Sequence, residues 1–384
     1  MRWIATTLCA ACGAALLLAA RALDGPWLER HVLLPWYYPW APSWVSATRI
    51  GAAALGTLLL ALAWPLGRAA ARSTPGGWLR ISLAVVLGLA TSEVVLRVNE
   101  HGTSYWRSLK LEFRFGREDP RLGWVLLPSR TTVLGPKERR ISYAIDAWGD
   151  RAASDAGAPD PELPSIVVSG ESIAVGHAVP YEETFAARMG KDLGLQVVNV
   201  ACGGYGSDQA YLRLDDALAR LKRPAAVVTT FVPVMLSRNV QDYRARLVLR
   251  DGALALVPPA RGLLAGVRLR DLWVNELPYM SDGDLRDSLR LTAAVLRETA
   301  RTTRAHGAEP LFAIFSIGGE RALDDHAEAS IVRALFVDQA LPFALIDVQP
   351  AELIAGDGHP GPEAHHRIAR VLEGALRARV SRAQ

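Results

Sequence analysis

Cysteine is scarce: the 384 residues hold three. Cys9 and Cys12 lie in an apolar run near the amino terminus, and Cys202 is the only one beyond it, so the later part of the chain cannot form an internal disulfide. The Cys9-x-x-Cys12 spacing suits a redox or metal pair, but no His or acid lies nearby and packing explains both thiols. No long basic block occurs outside the membrane flanks, and the net charge is only +4, so nucleic acid is not an expected partner. No His, Cys or acid set has metal spacing along the chain. Gly203-Gly204-Tyr205-Gly206 has neither the Lys-Ser/Thr ending of a phosphate loop nor the spacing of a dinucleotide fingerprint. No cofactor is therefore expected. Internal repeats and low-complexity tracts are also absent.

Apolar residues are plentiful, making up 50% of the chain, and they are concentrated. Residues 3 to 20, 45 to 66 and 79 to 97 form apolar runs, each near the ~20 residues that cross a bilayer. Arg2 before the first run and small residues at its end suit a signal peptide, but two further runs follow and an anchor fits them better. Glu93 and Arg97 make the third run the most polar. Arg68, Arg72 and Arg80 lie between the second and third runs with no acid among them, which places that loop and Arg2 inside and everything after Arg97 outside. Trp36, Tyr37, Tyr38, Trp40 and Trp44 in the outer loop have the composition of an interfacial belt or of a small folded loop. The expected organisation is a membrane region over 1–97 with about three transmembrane helices, a connecting segment with a short strand over 98–160, and an α/β domain over 161–384. The lipid bilayer is then one partner.

From Ser165 onward strands and helices alternate. Apolar runs predict strands at 165–169, 196–200, 225–232, 310–316 and 343–347. Amphipathic periodicity predicts helices at 183–193, 207–221, 286–306, 325–340 and 362–379, with Ser207 as an N-cap. This alternation predicts a three-layer α/β fold, a parallel sheet flanked by helices. Continuous apolar strands are expected where both sheet faces are buried. Residues 240–285 interrupt the pattern as an insertion, and Arg246 to Val257 reads as a hairpin turning at Asp251-Gly252. Upstream, Asp119 to Trp124 reads as a turn, and Ile141 to Asp146 alternates like a short strand before Trp148-Gly149-Asp150-Arg151.

Three segments carry candidate chemistry. Gly170-Glu171-Ser172 follows the first strand, at the carboxyl end where open α/β sheets bind ligands. A serine hydroxyl needs a base to become a nucleophile. Asp357-Gly358-His359-Pro360 before the last helix supplies one: His359 as base, with Asp357 to hold its tautomer. The alternatives are a helix N-cap for Ser172 and a surface turn for His359. Gly204, after the second strand, is a candidate backbone donor to an oxyanion or a simple tight turn. His177, His365 and His366 have no assigned role. His177 is placed beside the pocket, and the other two are expected to be partly exposed on the last helix.

The order Ser172, glycine loop, Asp357, His359 resembles the SGNH (GDSL-type) hydrolases over roughly residues 160 to 380, in their membrane-anchored bacterial form. The resemblance implies an SGNH or flavodoxin-like fold preceded by transmembrane helices. It also implies an acyl-Ser172 esterase mechanism, with an oxyanion hole built from the Ser172 backbone, Gly204 and a third-block asparagine. The family pattern Gly-x-Asn-Asp is replaced here by Val232-Pro233-Val234-Met235, putting Val234 at the asparagine position and leaving Asn239 or Arg238 to reach back. Glu171 stands where the family has Asp, and Gly361 where it has Asn. The implied function is a membrane-anchored serine esterase whose domain lies outside the bacterial inner membrane, in the periplasm. Its substrate would be an acyl ester, with O-acyl groups of a polysaccharide as one class. The alternatives are an O-acyltransferase and a catalytically weakened glycan-binding or assembly protein.

Overall fold

A computed structural model of the protein describes residues 2–22, 42–72, 74–98, 116–134, 140–241, 244–259, 267, 269, 282–317, 326–355 and 357–383. The chain divides into two compact units: Met1–Gly102 with Val267–Met280, and Thr103–Gly266 with Ser281–Gln384.

In the first unit the three apolar runs are helices: α1 (Arg2–Ala22), α2 (Pro42–Arg72) and α3 (Pro75–Val98). Two stretches, Trp3–Ala22 and Arg49–Arg72, are long and apolar enough to cross a membrane by length and composition. Helices α1 and α2 meet at two glycines. A Cβ on Gly13 would lie 2.8 Å from the Gly56 carbonyl, and one on Gly56 would lie 2.8 Å from that of Gly13. Small residues of this kind let apolar helices approach backbone to backbone. Arg49 Nε donates to the Ala20 carbonyl at 2.8 Å, satisfying a group left over at the end of α1. On α3, Arg97 pairs with Glu93 one turn earlier at 2.7 Å. The outer-loop aromatics Trp36, Tyr37, Tyr38 and Trp40 and the Trp44 side chain lie outside the described residues, as does most of 260–281.

The second unit is built on an eight-stranded mixed sheet. Strands β6 (Ser165–Ser169), β7 (Gln196–Asn199), β8 (Pro224–Phe231), β11 (Glu309–Ile317) and β12 (Phe343–Val348) are parallel, ordered β12-β11-β8-β6-β7. These are the five strands predicted from apolar runs. Beyond β7 the sheet continues antiparallel through β5 (Arg151–Ala152), β4 (Ile141–Ile145) and β3 (Arg130–Leu134). The segment read as a connector with one short strand thus extends the main sheet, and it also holds the hairpin of β1 (Gly116–Asp119) and β2 (Gly123–Leu126). Its turn is fixed by the Asp119 carboxylate, which accepts from the Arg121 and Leu122 N–H groups.

Helices pack in two groups. One joins α5 (Phe185–Leu193) to α10 (Pro362–Ala383). The other joins α6 (Ser207–Leu218), α7 (Met235–Val240) and α8 (Asp282–Ala305). Val167, Val198 and Val227 of the sheet bury against Leu214 and Leu218 of α6. Each such side chain contributes roughly 1.5–3 kcal/mol relative to exposure. Gly206, not Ser207, holds the N-cap position of α6, and its N–H is satisfied by Gln209 Oε1 at 3.0 Å. The helix predicted at 325–340 is α9 (His326–Val332) followed by a π turn at Arg333–Val337. The Asp-Gly hairpin forms as β9 (Arg246–Arg250) and β10 (Ala253–Val257). Asp251 and Gly252 both have positive φ, as a two-residue hairpin turn requires. Among the described residues of this unit, ion pairs are buried between Arg244 and Asp208 at 2.8 Å and between Arg213 and Asp150 at 2.7 Å.

Candidate active site

After β6 the chain turns at Gly170, whose φ is +144°. A Cβ there would lie 1.8 Å from Thr230 Oγ1 on β8, so only glycine fits. Glu171 is the N-cap of the short helix α4 (Ser172–Val175) and accepts from the Ile173 N–H at 3.1 Å. The capping duty considered for Ser172 therefore belongs to Glu171. The serine hydroxyl is left at the mouth of the turn, 2.6 Å from Glu171 Oε2 and 2.8 Å from His359 Nε2.

His359 arrives from a loop closed on itself. Leu353 and Pro360 form a bridge, the Ile354 N–H donates to the His359 carbonyl at 2.8 Å, and the Gly361 N–H donates to that of Glu352 at 2.8 Å. A Cβ on Gly361 would lie 3.2 Å from that Glu352 carbonyl. Arg367 on α10 pins the loop through Glu352 at 2.7 Å. Pro362 opens α10, where a missing N–H is harmless. Within the loop, Asp357 Oδ1 lies 2.7 Å from His359 Nδ1 and accepts from the His359 N–H at 3.2 Å. Ser172, His359 and Asp357, 187 and 2 residues apart in sequence, are thus joined in one hydrogen-bonded chain.

His177, expected beside the pocket but without an assigned role, completes the cluster. Its Nε2 lies 3.2 Å from Asp357 Oδ2, and its ring centroid is 4.3 Å from that of His359. Burial raises the Asp357 pKa, but hydrogen bonds from His177 and His359 outweigh it and hold the carboxyl well below the usual carboxylate range. The loop carrying His177 is braced by the upstream strands. The Ala178 N–H donates to the Tyr143 hydroxyl, and Arg151 donates to the Val179 carbonyl at 3.4 Å. Arg151 is buried and stacks over the Tyr143 ring at 3.9 Å. Burial lowers its pKa to about 10, so it remains charged at neutral pH. Ala178 itself has φ +55°, a conformation that tertiary bonds must impose on a residue with a Cβ.

The remaining expectations divide. Gly204 lies in the loop after β7 with φ +73°, and within the described residues its N–H makes no hydrogen bond. That loop is tied to the serine turn: the Cys202 N–H donates to the Gly170 carbonyl at 3.2 Å, and Asn199 Nδ2 to that of Ala174 at 2.8 Å. It is also tied to β2, through Trp124 Nε1 to the Gly203 carbonyl at 3.3 Å and the Tyr205 hydroxyl to that of Trp124 at 2.7 Å. Asn239 is used differently from the expectation. It is fully buried, with Nδ2 donating to Thr292 Oγ1 at 2.7 Å and Oδ1 accepting from the Asp208 N–H at 3.5 Å. Arg238 donates to the Tyr205 carbonyl at 3.3 Å and so fixes the glycine loop. Val234 sits at the N-cap of α7 and offers no side-chain donor.

Two histidine expectations change. His366 is exposed as expected, but His365 is buried. Its Nδ1 accepts from the Phe185 N–H at 3.1 Å and its ring stacks on Phe185 at 5.5 Å. Burial, with help from His359 and Arg188, lowers its pKa to about 3, so it is neutral at physiological pH. Although no metal spacing exists along the sequence, folding brings the donor atoms of His177, Asp357 and His359 within 4.8 Å of one another. Cys202 is buried and its pKa is pushed up to about 11, which keeps it a thiol.

No family model and no curated protein matches the chain. Solved structures similar to it include an acetyl xylan esterase from Butyrivibrio proteoclasticus, at 16% identity over 59% of this chain and 66% of that one, with a TM-score of 0.33. A family two carbohydrate esterase from Cellvibrio japonicus is 16% identical over 58% of this chain and 63% of that one, with a TM-score of 0.34. A member of the lipolytic protein G-D-S-L family from Veillonella parvula is 10% identical over 54% of this chain and 94% of that one, with a TM-score of 0.30. Likenesses this distant carry no information about the reaction.

Proposed function

We propose that the chain is a membrane-anchored serine esterase of SGNH type, acting outside the bacterial inner membrane on acyl esters. The single observation that carries this reading is the chain Asp357–His359–Ser172, with links of 2.7 and 2.8 Å. His359 Nε2 takes the hydroxyl proton as Ser172 Oγ attacks the acyl carbonyl, and Asp357 stabilises the imidazolium that forms. The oxyanion is met by the backbone N–H groups of Ser172 and Gly204. His359 returns the proton to the leaving alcohol, giving an acyl-Ser172. A second cycle with water completes hydrolysis, and the same cycle with another hydroxyl would be acyl transfer. O-acyl groups of a glycan are the substrate class we favour. The anchor comprises α1 and α2 together with α3, and Arg68 and Arg72 in the last turns of α2, with Arg80 near the start of α3, orient it with residues 98–384 outside.

One observation favours a second reading. Of the two side chains considered as oxyanion donors, Val234 has no donor group and Asn239 is engaged with Thr292. A protein of this build could bind an acylated glycan with little turnover. Labelling of the full chain by a fluorophosphonate probe, beside Ser172→Ala, separates the two. Labelling that disappears in the variant supports the esterase, and no labelling in the intact chain supports the binding protein. Reporter fusions after Arg97 that work only in the cytoplasm would reverse the topology.

A further inference from the structure

The two hydrogen bonds converging on Asp357 have a second chemical reading. His177 Nε2 lies 3.2 Å from Asp357 Oδ2, and His359 Nδ1 lies 2.7 Å from Oδ1. The donor atoms of the three residues all fall within 4.8 Å of one another. Zinc bonds of about 2.0–2.2 Å in a tetrahedral site place neighbouring ligand atoms about 3.3 Å apart; the two carboxylate contacts, at 2.7 and 3.2 Å, lie near that spacing, and the two imidazole nitrogens, within 4.8 Å, would draw together on an ion. Two imidazoles and one carboxylate suit a borderline transition ion, whereas magnesium and calcium prefer oxygen alone.

We propose that His177 Nε2, an Asp357 oxygen and His359 Nδ1 form a binding site for a divalent transition ion of the zinc class, and that the bound ion turns the serine off. If His177 only oriented Asp357, any single donor would serve. The structure instead sets two imidazole rings 4.3 Å apart, each with a nitrogen on the same carboxylate. The His177 loop is also preset, with Ala178 held at positive φ by Tyr143 and the next carbonyl held by Arg151. The Asp357 side chain keeps 30% of its surface exposed, which gives an ion an entry path and leaves room for water as a fourth ligand.

The inhibitory effect follows from counting lone pairs. A neutral imidazole has one. In the tautomer that activates Ser172 it is on Nε2, with the proton on Nδ1 facing Asp357. An ion on Nδ1 takes that lone pair, and the proton moves through water to Nε2. The imidazole carries the same number of protons as before, but its Nε2–H can only donate to Ser172 Oγ and cannot remove the hydroxyl proton. Binding itself does not depend on the esterase reading. Only its effect on turnover rests on that reading.

The test uses the full chain in detergent, stripped with chelator, and zinc chloride titrated by calorimetry, with cobalt(II) as a spectroscopic probe of geometry. The expectation is one ion per chain, a tetrahedral cobalt spectrum, and esterase activity that falls as zinc binds and returns with chelator. Losing an outer-shell partner weakens metal sites about 10–100-fold, so loss of a direct ligand in His177→Ala should weaken zinc by at least ~100-fold. His177→Asn keeps a donor toward Asp357 without an imidazole and should lose zinc to a similar degree while melting like the parent, which guards against misfolding. Ser172→Ala should bind zinc as the parent does. No binding at millimolar zinc, or His177→Asn binding as tightly as the parent, overturns the proposal. If Ser172→Ala binds zinc while the metal-free parent hydrolyses no ester, the metal site stands and the esterase reading falls.

Discussion

His177 and His359 hold opposite oxygens of one carboxylate: Asp357 Oδ2 lies 3.2 Å from His177 Nε2, and Oδ1 lies 2.7 Å from His359 Nδ1. Asp357 is therefore fixed from two sides and kept ionised. Ser172→Ala and His359→Ala should each nearly abolish ester turnover, and the double variant should be no worse than either, because the pair acts as one unit. Asp357→Asn should lose less than either. Steady-state rates on a small ester check this, and multiplicative losses would break the assignment.

The vacant side-chain donor gives the second prediction. Val234→Asn should raise turnover by up to the ~10²–10³ that one oxyanion donor supplies, if its amide reaches the intermediate. If the amide is instead buried without a partner, melting should fall by the equivalent of ~1–3 kcal/mol with no change in rate. Asn239→Ala should behave differently. It strips partners from Thr292 Oγ1 and the Asp208 N–H, so stability should drop by about 1–3 kcal/mol. Chemical denaturation beside kinetics distinguishes this from a direct loss of rate.

Gly170→Ala should damage both fold and rate. The added methyl would meet Thr230 Oγ1 at 1.8 Å, in a backbone conformation that L residues rarely adopt. The strand-to-helix turn must then shift, and Ser172 with it. Pairing Gly170→Ala with Thr230→Gly should restore part of the stability but less of the activity. A Gly170→Ala protein that melts and turns over like the parent would show that the turn is not as tight as described.

His365 makes the protein acid-sensitive. Its folded pKa of about 3 lies below its ordinary value of about 6.5, so the unfolded chain binds the proton more readily. Stability should be undiminished above about 6.5 and should fall steadily as pH drops from there toward 3. Asp357 has a depressed pKa too, and its share is lost only below its unfolded value of about 3.9. Asp146, whose pKa burial and Asp150 raise to about 6, works in the opposite direction over the same range, so denaturant midpoints at pH 7 and pH 5 report the His365 effect as the difference between the parent and a His365 variant. His365→Gln, which can still accept from the Phe185 N–H, should flatten the slope.

The sequence revealed those parts of the fold that were apolar and long. The β6, β8 and β11 runs are buried on both faces, and their composition shows it, whereas the edge strand β12 is apolar but buries only Ile346 and Val348. Strand β1 reads Gly-Arg-Glu-Asp and is largely solvent-facing, and β5 has only two residues, so neither produces a hydrophobic pattern. Ser172 and Asp357-x-His359 stood out because each sits in a recognisable local pattern, and the fold brings them within hydrogen-bond distance. His177 did not stand out, because its meaning comes from a carboxylate 180 residues away. Asn239 misled because polar residues near the third strand suggested a donor, whereas its amide joins α6 to α8. The adjacent His365 and His366 look alike in sequence, but helical geometry turns one inward onto Phe185 and the other out.

The short strand β5 pairs with β7 through Arg151 opposite Asn199, and by doing so it covers a border of the parallel sheet. A shortened protein starting at residue 161 would leave β7 with a bare row of N–H and C=O groups, a template for pairing between molecules. The same cut would remove Tyr143 and Arg151 and release the turn that presents His177. The α/β core is therefore not a cassette that can be lifted out at the first predicted strand. Truncation there should give aggregation as well as a slack Asp357, whereas a start at residue 116 keeps every strand that closes the sheet.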